Sequence, residues 1–389
     1  MTRHYDHSNC NSHNLKFEYP YMKFYPLLLI SIVAFISSKT CADHAAFSLD
    51  NGAPGPINTM SAAISPKGGS TLSVFSQFIS NIEISISDLE RYATEDQDVH
   101  STAHLQSISF NGAYAINDKL LIGFSLPYIE RGNLIETAHH DEAKDQHEED
   151  SDGEEEDHHG DETEEELVVS QGDISGIGDA SFFAQYRFLS NTEASMHAAF
   201  IFGIKTPTGK TNQRSNENEL FEAEHQPGTG SWDPLFGLAY SKSWGQLAMH
   251  TNMLYSISTD GSQDTNIGDY FNYNLALTYR FASKTSTSHH QHDKETSDHL
   301  HHDKIKSIPS KYWDIILELN GDWRDKVTVD DQIENHTGGD IVYLNPGFRF
   351  GLGQSWSANL SFGIPIVKNL NGIQSEPNFR FLSGVNIAF

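Results

Sequence analysis

Eleven of the 21 histidines fall in two polar stretches of the chain, and their type and spacing suit metal chemistry. Neutral imidazole is a common ligand for zinc, copper and nickel, and histidine-rich tracts are typical of metal binding. A site in such a stretch would hold a divalent metal ion loosely, because nothing fixes its geometry; the alternative is a solvated, disordered loop. The candidate ligands are His139, His140, His158 and His159 in the first stretch and His289, His290, His292, His299, His301 and His302 in the second.

The first stretch, residues 137–166, also carries much of the negative charge of the chain. It contains 16 acidic residues and one basic residue, and the formal net charge of the 389 residues is −28. A chain this acidic repels phosphate, so we expect no nucleic-acid partner. The acidic side chains could attract Ca²⁺ or Mg²⁺, although the stretch lacks the spacing of a calcium-binding loop.

The elements that must position functional residues are segments of about ten residues in which apolar and polar side chains alternate. In residues 271–281 every odd position is large and apolar, and every even position is small or polar. This alternation predicts strands with one apolar and one polar face. Twelve strands are predicted, at residues 70–80, 102–116, 119–131, 176–189, 194–206, 231–243, 245–258, 268–282, 311–323, 339–351, 354–366 and 376–389.

Two architectures fit this pattern: a soluble sandwich or barrel with its apolar face inside, and an outer-membrane barrel with its apolar face against lipid. Aromatic residues near the ends of the apolar faces favour the membrane barrel, as do the export signal and the polar residues at mid-strand. We therefore predict an all-β fold, an antiparallel transmembrane β-barrel of about 12 strands over residues 70–389, in the outer membrane of a Gram-negative bacterium. The aromatic residues in question are Tyr270, Phe281, Trp313 and Trp356.

The N-terminal region carries the export signal. Met22 and Lys23 precede an apolar run over residues 24–36, and small residues follow up to Ala42. Residues 1–42 are therefore predicted to be a non-mature leader with a signal peptide and a start near Met22, the alternative being a buried N-terminal helix. Both cysteines, Cys10 and Cys41, fall in this leader, so the mature chain is expected to contain no disulfide.

Residues 43–69 are rich in glycine and proline and lack the alternation of a strand. Two placements remain open for this segment. It lies in the periplasm, or it folds into the barrel lumen as a plug.

The lengths of the connections assign the two sides of the membrane. Most connections after even-numbered strands are tight, whereas those after odd-numbered strands are long and polar. Short turns belong to the periplasm and long loops to the exterior. The acidic insert, 137–166, is therefore predicted to be extracellular, and the histidine-rich insert, 283–310, is predicted to be periplasmic, where it breaks the short-turn rule.

The polar strand faces supply candidates for the lining of the lumen. Arg187, Arg280 and Arg349 each precede a phenylalanine at the predicted periplasmic end of a strand. Three arginines at this level would favour anions or polarised oxygens, whereas Asp314, at the same level, points to an ion-pair network instead. The other lumen-lining candidates are His197, Lys205, His250, Asn252, Asn272, Asn274 and Glu318.

Four glycine-containing motifs resemble those of a known family: Asn51-Gly52-Ala53-Pro54-Gly55-Pro56-Ile57-Asn58-Thr59, Gly178-Asp179-Ala180-Ser181, Gly203-Ile204-Lys205-Thr206-Pro207-Thr208-Gly209 and Gly228-Thr229-Gly230-Ser231-Trp232-Asp233. With them, residues 50–389 apart from the two inserts look like the outer-membrane transporter family named for the meta-pathway of phenol degradation. The resemblance implies a channel for small, often hydrophobic, compounds. The C-terminal Phe389 resembles the signal that the barrel-assembly machinery reads, so that machinery and outer-membrane lipid are expected partners.

Enzyme motifs are not found in the sequence. It contains no Gly-Xaa-Ser-Xaa-Gly elbow, no His-Glu-Xaa-Xaa-His and no phosphate-binding loop, nor the His-Xaa-Ser of an outer-membrane phospholipase. We expect a passive channel for a small, hydrophobic or aromatic solute, with no required cofactor and no enzymatic activity. The alternatives are a surface metal-binding protein whose barrel is an anchor, and a structural barrel or adhesin with a blocked lumen.

Overall fold

Twelve antiparallel strands close into a barrel, which confirms the predicted fold. The structure is a computed structural model that describes residues 56–138, 167–282, 311–353 and 355–389. The first strand pairs with both the second and the last, with Val74 opposite Phe110 on one side and Val385 on the other. This double pairing leaves no unpaired sheet edge, and a β-sheet within lipid must have none.

The barrel strands are numbered in chain order. Strand β4 runs in two segments, because residues 178–180 interrupt it. The bounds are β1 Ser70–Ile82, β2 His100–Asn117, β3 Leu120–Thr137, β4 Val168–Ile177 and Ser181–Asn191, β5 Met196–Lys205, β6 Asp233–Trp244, β7 Leu247–Ser256, β8 Tyr270–Ala282, β9 Lys311–Arg324, β10 Gly339–Leu352, β11 Trp356–Leu370 and β12 Glu376–Ala388.

The predicted strand ends lie within two residues of these bounds except at three places. Strand β3 continues to Thr137, β4 begins at Val168, and β11 continues to Leu370. These extensions project beyond the apolar band. Strand residues outside the lipid need no apolar outward face, so the alternation that predicts strands is lost there. Thr137, which the sequence assigned to the acidic insert, therefore belongs to β3, and Ala138 follows it. Residues 139–166 of that insert and the whole of 283–310 lie outside the described residues.

The connection between β1 and β2 contains a helix, α1 (Ile86–Thr94), that the strand pattern did not predict. Ser85 caps its N-terminus by accepting a hydrogen bond from the Asp88 N–H at 3.2 Å. The Ser-Xaa-Xaa-Asp spacing is a capping signature that could have revealed the helix. No helix in the described ranges is long and apolar enough to cross a membrane.

Side chains divide cleanly between the two faces of the barrel wall. On β9, Ile315 and Leu317 point outward and are 54% and 45% exposed, while Asp314 and Glu318 point inward and are fully buried. The remaining strands also turn large apolar side chains outward, so the outer surface is an apolar band. The interior is mostly polar, apart from an apolar cluster that includes Leu121, Phe183 and Leu235. This is the arrangement of an outer-membrane barrel rather than that of a soluble one.

Aromatic rings cluster on the outer face near the end of the barrel that carries the short turns. The Trp313 ring centroid lies 4.3 Å from that of Phe350 and 4.9 Å from that of Phe348. Such rings suit the membrane–water interface. Tyr270 was predicted to lie on the lipid-facing side, and this was wrong. Its side chain faces the lumen, where its hydroxyl donates a hydrogen bond to Asp322.

An arginine on the outer face tests the lipid-facing assignment. Leu317→Arg, at the middle of β9, is expected to lower the free energy of unfolding by about 2–4 kcal/mol, because the charge must enter the hydrocarbon. The measurement is urea-induced unfolding of the barrel in lipid vesicles. Ile333→Arg, in an exposed loop at 60% exposure, is the control and should cost little. Equal, small effects at both positions would contradict the assignment.

Candidate functional site

The N-terminal segment crosses the lumen. Residues 56–62 are buried, and we call residues 56–64 the plug. After the plug the chain reaches Gly68, whose N–H donates to the Ala115 carbonyl (2.8 Å) at the periplasmic end of β2. Of the two placements that the sequence left open for residues 43–69, the described part therefore occupies the lumen.

Glu318 holds the beginning of the plug. Its carboxylate accepts the N–H of Ile57 at 2.7 Å and the N–H of Asn58 at 3.0 Å, and it is fully buried. Successive backbone N–H groups directed at one carboxylate form a cradle for an anion, and charge-assisted bonds are stronger than neutral ones. Arg349 donates to the carbonyl of Pro56 at the same place.

The middle of the plug is bound by the nearby strands β6 and β7. The Met60 N–H donates to Asn252 Oδ1, and the Ala62 N–H donates to Ser241 Oγ, both at 2.9 Å. His250 Nδ1 lies 2.9 Å from the Ser241 hydroxyl and 3.2 Å from that of Ser61. His250 thus serves as a hydrogen-bonded wall residue that contacts the plug.

The predicted arginines do not form an open cationic ring. Arg280 makes a bidentate ion pair with Asp314, at 2.7 and 2.8 Å, and Arg349 Nη1 lies 3.9 Å from the same carboxylate. Arg187 donates instead to the backbone carbonyl of Asp118 in a periplasmic turn. The geometry corresponds to the ion-pair alternative.

The predicted asparagines belong to a belt of amides around the wall. Asn274 Nδ2 donates to Asn252 Oδ1 at 3.2 Å and also to Asn272. The sequence analysis missed the other half of the belt, in which Asn320, Asn345 and the fully buried Arg380 continue the chain of hydrogen bonds at 2.8 to 3.1 Å. Each of them occupies one of the alternate positions of β9, β10 and β12 that face the lumen, and this could have been recognised in the sequence. His197 lies apart from the belt, 3.2 Å from Ser190 Oγ near the periplasmic end.

Three of the glycine-containing motifs meet at the interruption of β4. Asp179 accepts the N–H of Gly209 and the N–H and hydroxyl of Thr229, each at 2.8 Å. Lys205 donates to the Thr229 hydroxyl at 2.6 Å, pairs with Asp233, and lies 3.8 Å from Asp179. We call Asp179, Lys205, Thr229 and Asp233 the motif network.

The close approach of two loop strands explains the glycines. A Cβ on Gly209 would lie 2.6 Å from Gly228 Cα and 2.8 Å from Asp179 Oδ1. Any side chain at this position would therefore push the loop of residues 206–232 away from the carboxylate. The motif network fastens that loop over the extracellular end of the lumen.

A cavity of about 120 Å³ is lined by this loop and by strands of the barrel wall. Its floor includes Leu235 and Leu254, which belong to the same apolar cluster as Met60 of the plug. Its wall combines apolar and ionic side chains, so it suits a molecule with both characters. The lining residues are Pro127, Ile129, Arg131, Asp179, Lys205, Glu224, Gln226, Pro227, Thr229, Asp233, Leu235, Leu254, Ser256, Ser258, Ile267, Tyr270 and Arg324.

A group of histidines and carboxylates lies at the extracellular rim, and the sequence analysis did not predict it. Ligand atoms of His100, Glu222, Glu224 and His225 all lie within 4.8 Å of one another. Glu222 lies in a recess at this rim, and desolvation there raises its pKa to about 8, with Glu224 and Asp98 adding to the rise and His100 opposing it. The pattern Glu222-Xaa-Glu224-His225 was visible in the sequence, but His100 comes from a distant strand.

The histidines that the sequence did propose as metal ligands lie outside the described residues. They are His139, His140, His158, His159, His289, His290, His292, His299, His301 and His302. Loose metal binding by them stays a prediction.

The model of the family described as "Putative MetA-pathway of phenol degradation" matches residues 151–307. The match confirms the resemblance. All three motifs that meet at Asp179 lie within the matched range, whereas the motif that begins at Asn51 lies outside it. The family model and the motif network thus concern the same part of the barrel.

Comparison with known proteins gives distant similarities only. No curated protein matches the sequence. Among solved structures, the COG4313 outer membrane channel from Pseudomonas putida F1 is 14% identical, with 84% of this chain and 98% of that chain covered and a TM-score of 0.49. The P. putida toluene transporter TodX is 8% identical, with 87% and 99% covered and a TM-score of 0.39. The CymD monoaromatic hydrocarbon channel is 10% identical, with 88% and 98% covered and a TM-score of 0.36.

Replacing Asp179 tests the motif network. Asp179→Asn is expected to lower the free energy of unfolding by about 1–3 kcal/mol. Both carboxylate oxygens of Asp179 accept hydrogen bonds, and the NH2 group that replaces one of them in asparagine cannot accept any. Urea unfolding in vesicles measures the loss. Asp331→Asn, which removes the same charge from an exposed loop residue, is the control. An equal loss in both variants would contradict the special role of Asp179.

Replacing Glu318 tests the hold on the plug. Glu318→Gln should accelerate hydrogen exchange at the amides of Ile57 and Asn58 by about tenfold or more, since a bond to a charged group contributes about 1.5–3 kcal/mol. Mass spectrometry of the peptide that contains residues 56–64 reports the rate. The control is Glu219→Gln, in an exposed part of the loop. Unchanged exchange in Glu318→Gln would show that the cradle does not hold the plug.

Proposed function

We propose that the protein is a passive outer-membrane channel for small molecules that have an apolar body and a polar or anionic group. The observation that carries the proposal is the cavity of about 120 Å³ that is lined by the loop of residues 206–232 and by the barrel wall. An apolar cavity of about 150 Å³ in another protein is large enough for benzene, so a single aromatic ring is the right scale.

The lining of the cavity supports this class of solute. Leu235, Leu254 and Ile129 supply apolar contacts, while Arg324 supplies positive charge from the lumen wall. Lys205 also lines the cavity, but its charge is paired with Asp233. Arg324 already lies over the Tyr270 ring, with its guanidinium carbon 5.1 Å from the ring centroid. Binding along such a wall needs no energy source, and passage follows the concentration gradient.

We further propose that the barrel has no enzymatic activity, since the motif network gives structural roles to the groups that line the cavity. Asp179 and Asp233 are both engaged by Lys205, and Thr229 is bonded to Asp179. Outer-membrane lipid surrounds the apolar band, and we propose that the assembly machinery reads the C-terminal strand that ends in Phe389.

We propose that passage requires the plug to move, because its buried residues cross the lumen and are bonded to the wall. The Ser61 and Ser241 hydroxyl oxygens lie 3.2 Å apart, so cysteines at these positions are within reach of a disulfide. No cysteine follows Cys41 in the sequence, so the pair would have no competing thiols in the mature chain.

The test locks the plug. The Ser61→Cys/Ser241→Cys variant, oxidised and placed in planar bilayers and liposomes, should lose conductance and permeability to small aromatic acids, and a reducing agent should restore both. Ser61→Cys alone is the control and should be insensitive to oxidation. Equal permeability in the oxidised and reduced double variant would overturn the proposal, as would an unmodified folded barrel that passes no solute.

A second comparison separates the channel from a metal-binding protein that uses the barrel as an anchor. Deletion of residues 139–166 and 283–310 should leave permeability unchanged if the barrel is the functional part. Loss of zinc or copper tolerance in cells, together with a barrel that is impermeable before and after deletion, would support the anchor instead.

A further inference from the structure

We propose that His100, Glu222, Glu224 and His225 form a binding site for a divalent transition-metal ion of the zinc class at the extracellular rim. The four side chains each present one ligand atom, and these atoms lie within 4.8 Å of one another. None of these four residues belongs to the two inserts, and all four lie in the part of the barrel that the structure describes.

The distances suit four ligands around one small ion. His100 Nε2 lies 3.0 Å from Glu224 Oε1, and His225 Nε2 lies 3.7 Å from carboxylate oxygens of both Glu222 and Glu224. Ligands bonded at about 2.0–2.2 Å in a tetrahedron are separated by similar distances, so small side-chain rotations would complete the shell. The two imidazole rings already meet edge to face, with centroids 4.5 Å apart.

The donor set selects the metal class. Two imidazole nitrogens with two carboxylate oxygens suit zinc, copper or nickel, whereas calcium and magnesium take oxygen ligands. Further carboxylates, Asp98 and Glu334, line the same recess, which has a volume of about 210 Å³. The recess therefore carries more negative charge than its histidines can balance, and a dication would offset that excess.

The backbone holds these ligands in place. His100 begins β2, and its neighbour Val99 bonds to Thr137 of β3 through two hydrogen bonds of 3.1 Å. The segment around Glu222 is fixed by the Gln226 side chain, which donates to the carbonyls of Gln213 and Phe221. The predicted ligands therefore come from two anchored elements rather than from one flexible tract.

The position of Glu224 connects the metal site to the lumen. Glu224 lines both the rim recess and the cavity, and its carbonyl accepts a hydrogen bond from Arg131 Nη2 at 3.1 Å. A bound ion would join the loop of residues 206–232 to β2 and fix the roof of the cavity. This step rests on the proposed channel function, whereas the metal site itself does not.

The first experiment measures binding in the folded full-length mature chain. Zinc affinity is determined by competition with a chromophoric chelator, and Co²⁺ binding by its visible absorption. To remove the insert sites, the starting variant carries glutamine at His139, His140, His147, His158, His159, His289, His290, His292, His299, His301 and His302. Heat-modified gel mobility confirms that each variant is a folded barrel.

The starting variant should bind one zinc ion per chain, with a tetrahedral Co²⁺ spectrum. His225→Gln should weaken zinc binding by at least about tenfold. His104→Gln is the matched control: it lies on the same strand as His100, with its ring stacked on Phe78 at 5.6 Å, and should leave the affinity unchanged. His100→Gln provides a second variant in case the buried His225 is needed for folding.

The outcomes separate the alternatives. No zinc binding in the starting variant, or equal affinity in His225→Gln and His104→Gln, would overturn the site. Displacement of zinc by millimolar Ca²⁺ would overturn the assignment to the zinc class. If zinc binds but permeability does not change, the roof-fixing step fails alone. A barrel that is impermeable with and without zinc would instead overturn the channel function.

Discussion

The hydrogen bonds of the buried Asp179 carboxylate are the interaction that holds the loop of residues 206–232 at the extracellular end of the barrel. Asp179 lies at the interruption of β4, and its carboxylate accepts backbone N–H groups from near both ends of that loop. It also lies next to the Lys205 ammonium. A membrane barrel turns its apolar side chains to lipid, so its interior cannot be stabilised by a hydrophobic core alone. Paired polar groups must do that work, and an unpaired one is costly because water is scarce there.

The same constraint explains the plug. Glu318 is buried at mid-lumen, where an ionised carboxylate needs donors, and the plug supplies them as the N–H groups of Ile57 and Asn58. The plug in turn has backbone groups that need partners, and the wall supplies Asn252 and Ser241. Each partner satisfies the other, so the segment lies across the lumen as an irregular chain, with bends at residues 57–59 and 62, and forms no strand of its own.

The strands could be predicted from sequence because alternation is local: the apolar faces of β8, β9 and β12 can be recognised within about ten residues each. The pairing of Arg280 with Asp314 could also be anticipated, since parity and level place them on adjacent strands. The rim cluster could not be predicted, because His100 and Glu222 are brought together only by the register of the barrel and the path of a long loop. Tyr270 was misplaced because aromatic character was given more weight than its even-numbered position.

The size of the barrel accounts for the combination of plug and cavity. Eight strands are filled by their own side chains and 16 or more leave an open channel, so 12 strands enclose an intermediate space. Here many inward positions are small, and Gly347 is one of them: a Cβ at this position would lie 2.4 Å from the Ile57 side chain, which would have to move. Small inward residues thus leave room for a nine-residue segment below and one small molecule above. A wall of larger inward side chains would fill the lumen and exclude both, so the inward glycines, serines and asparagines are as much part of the site as the charged groups.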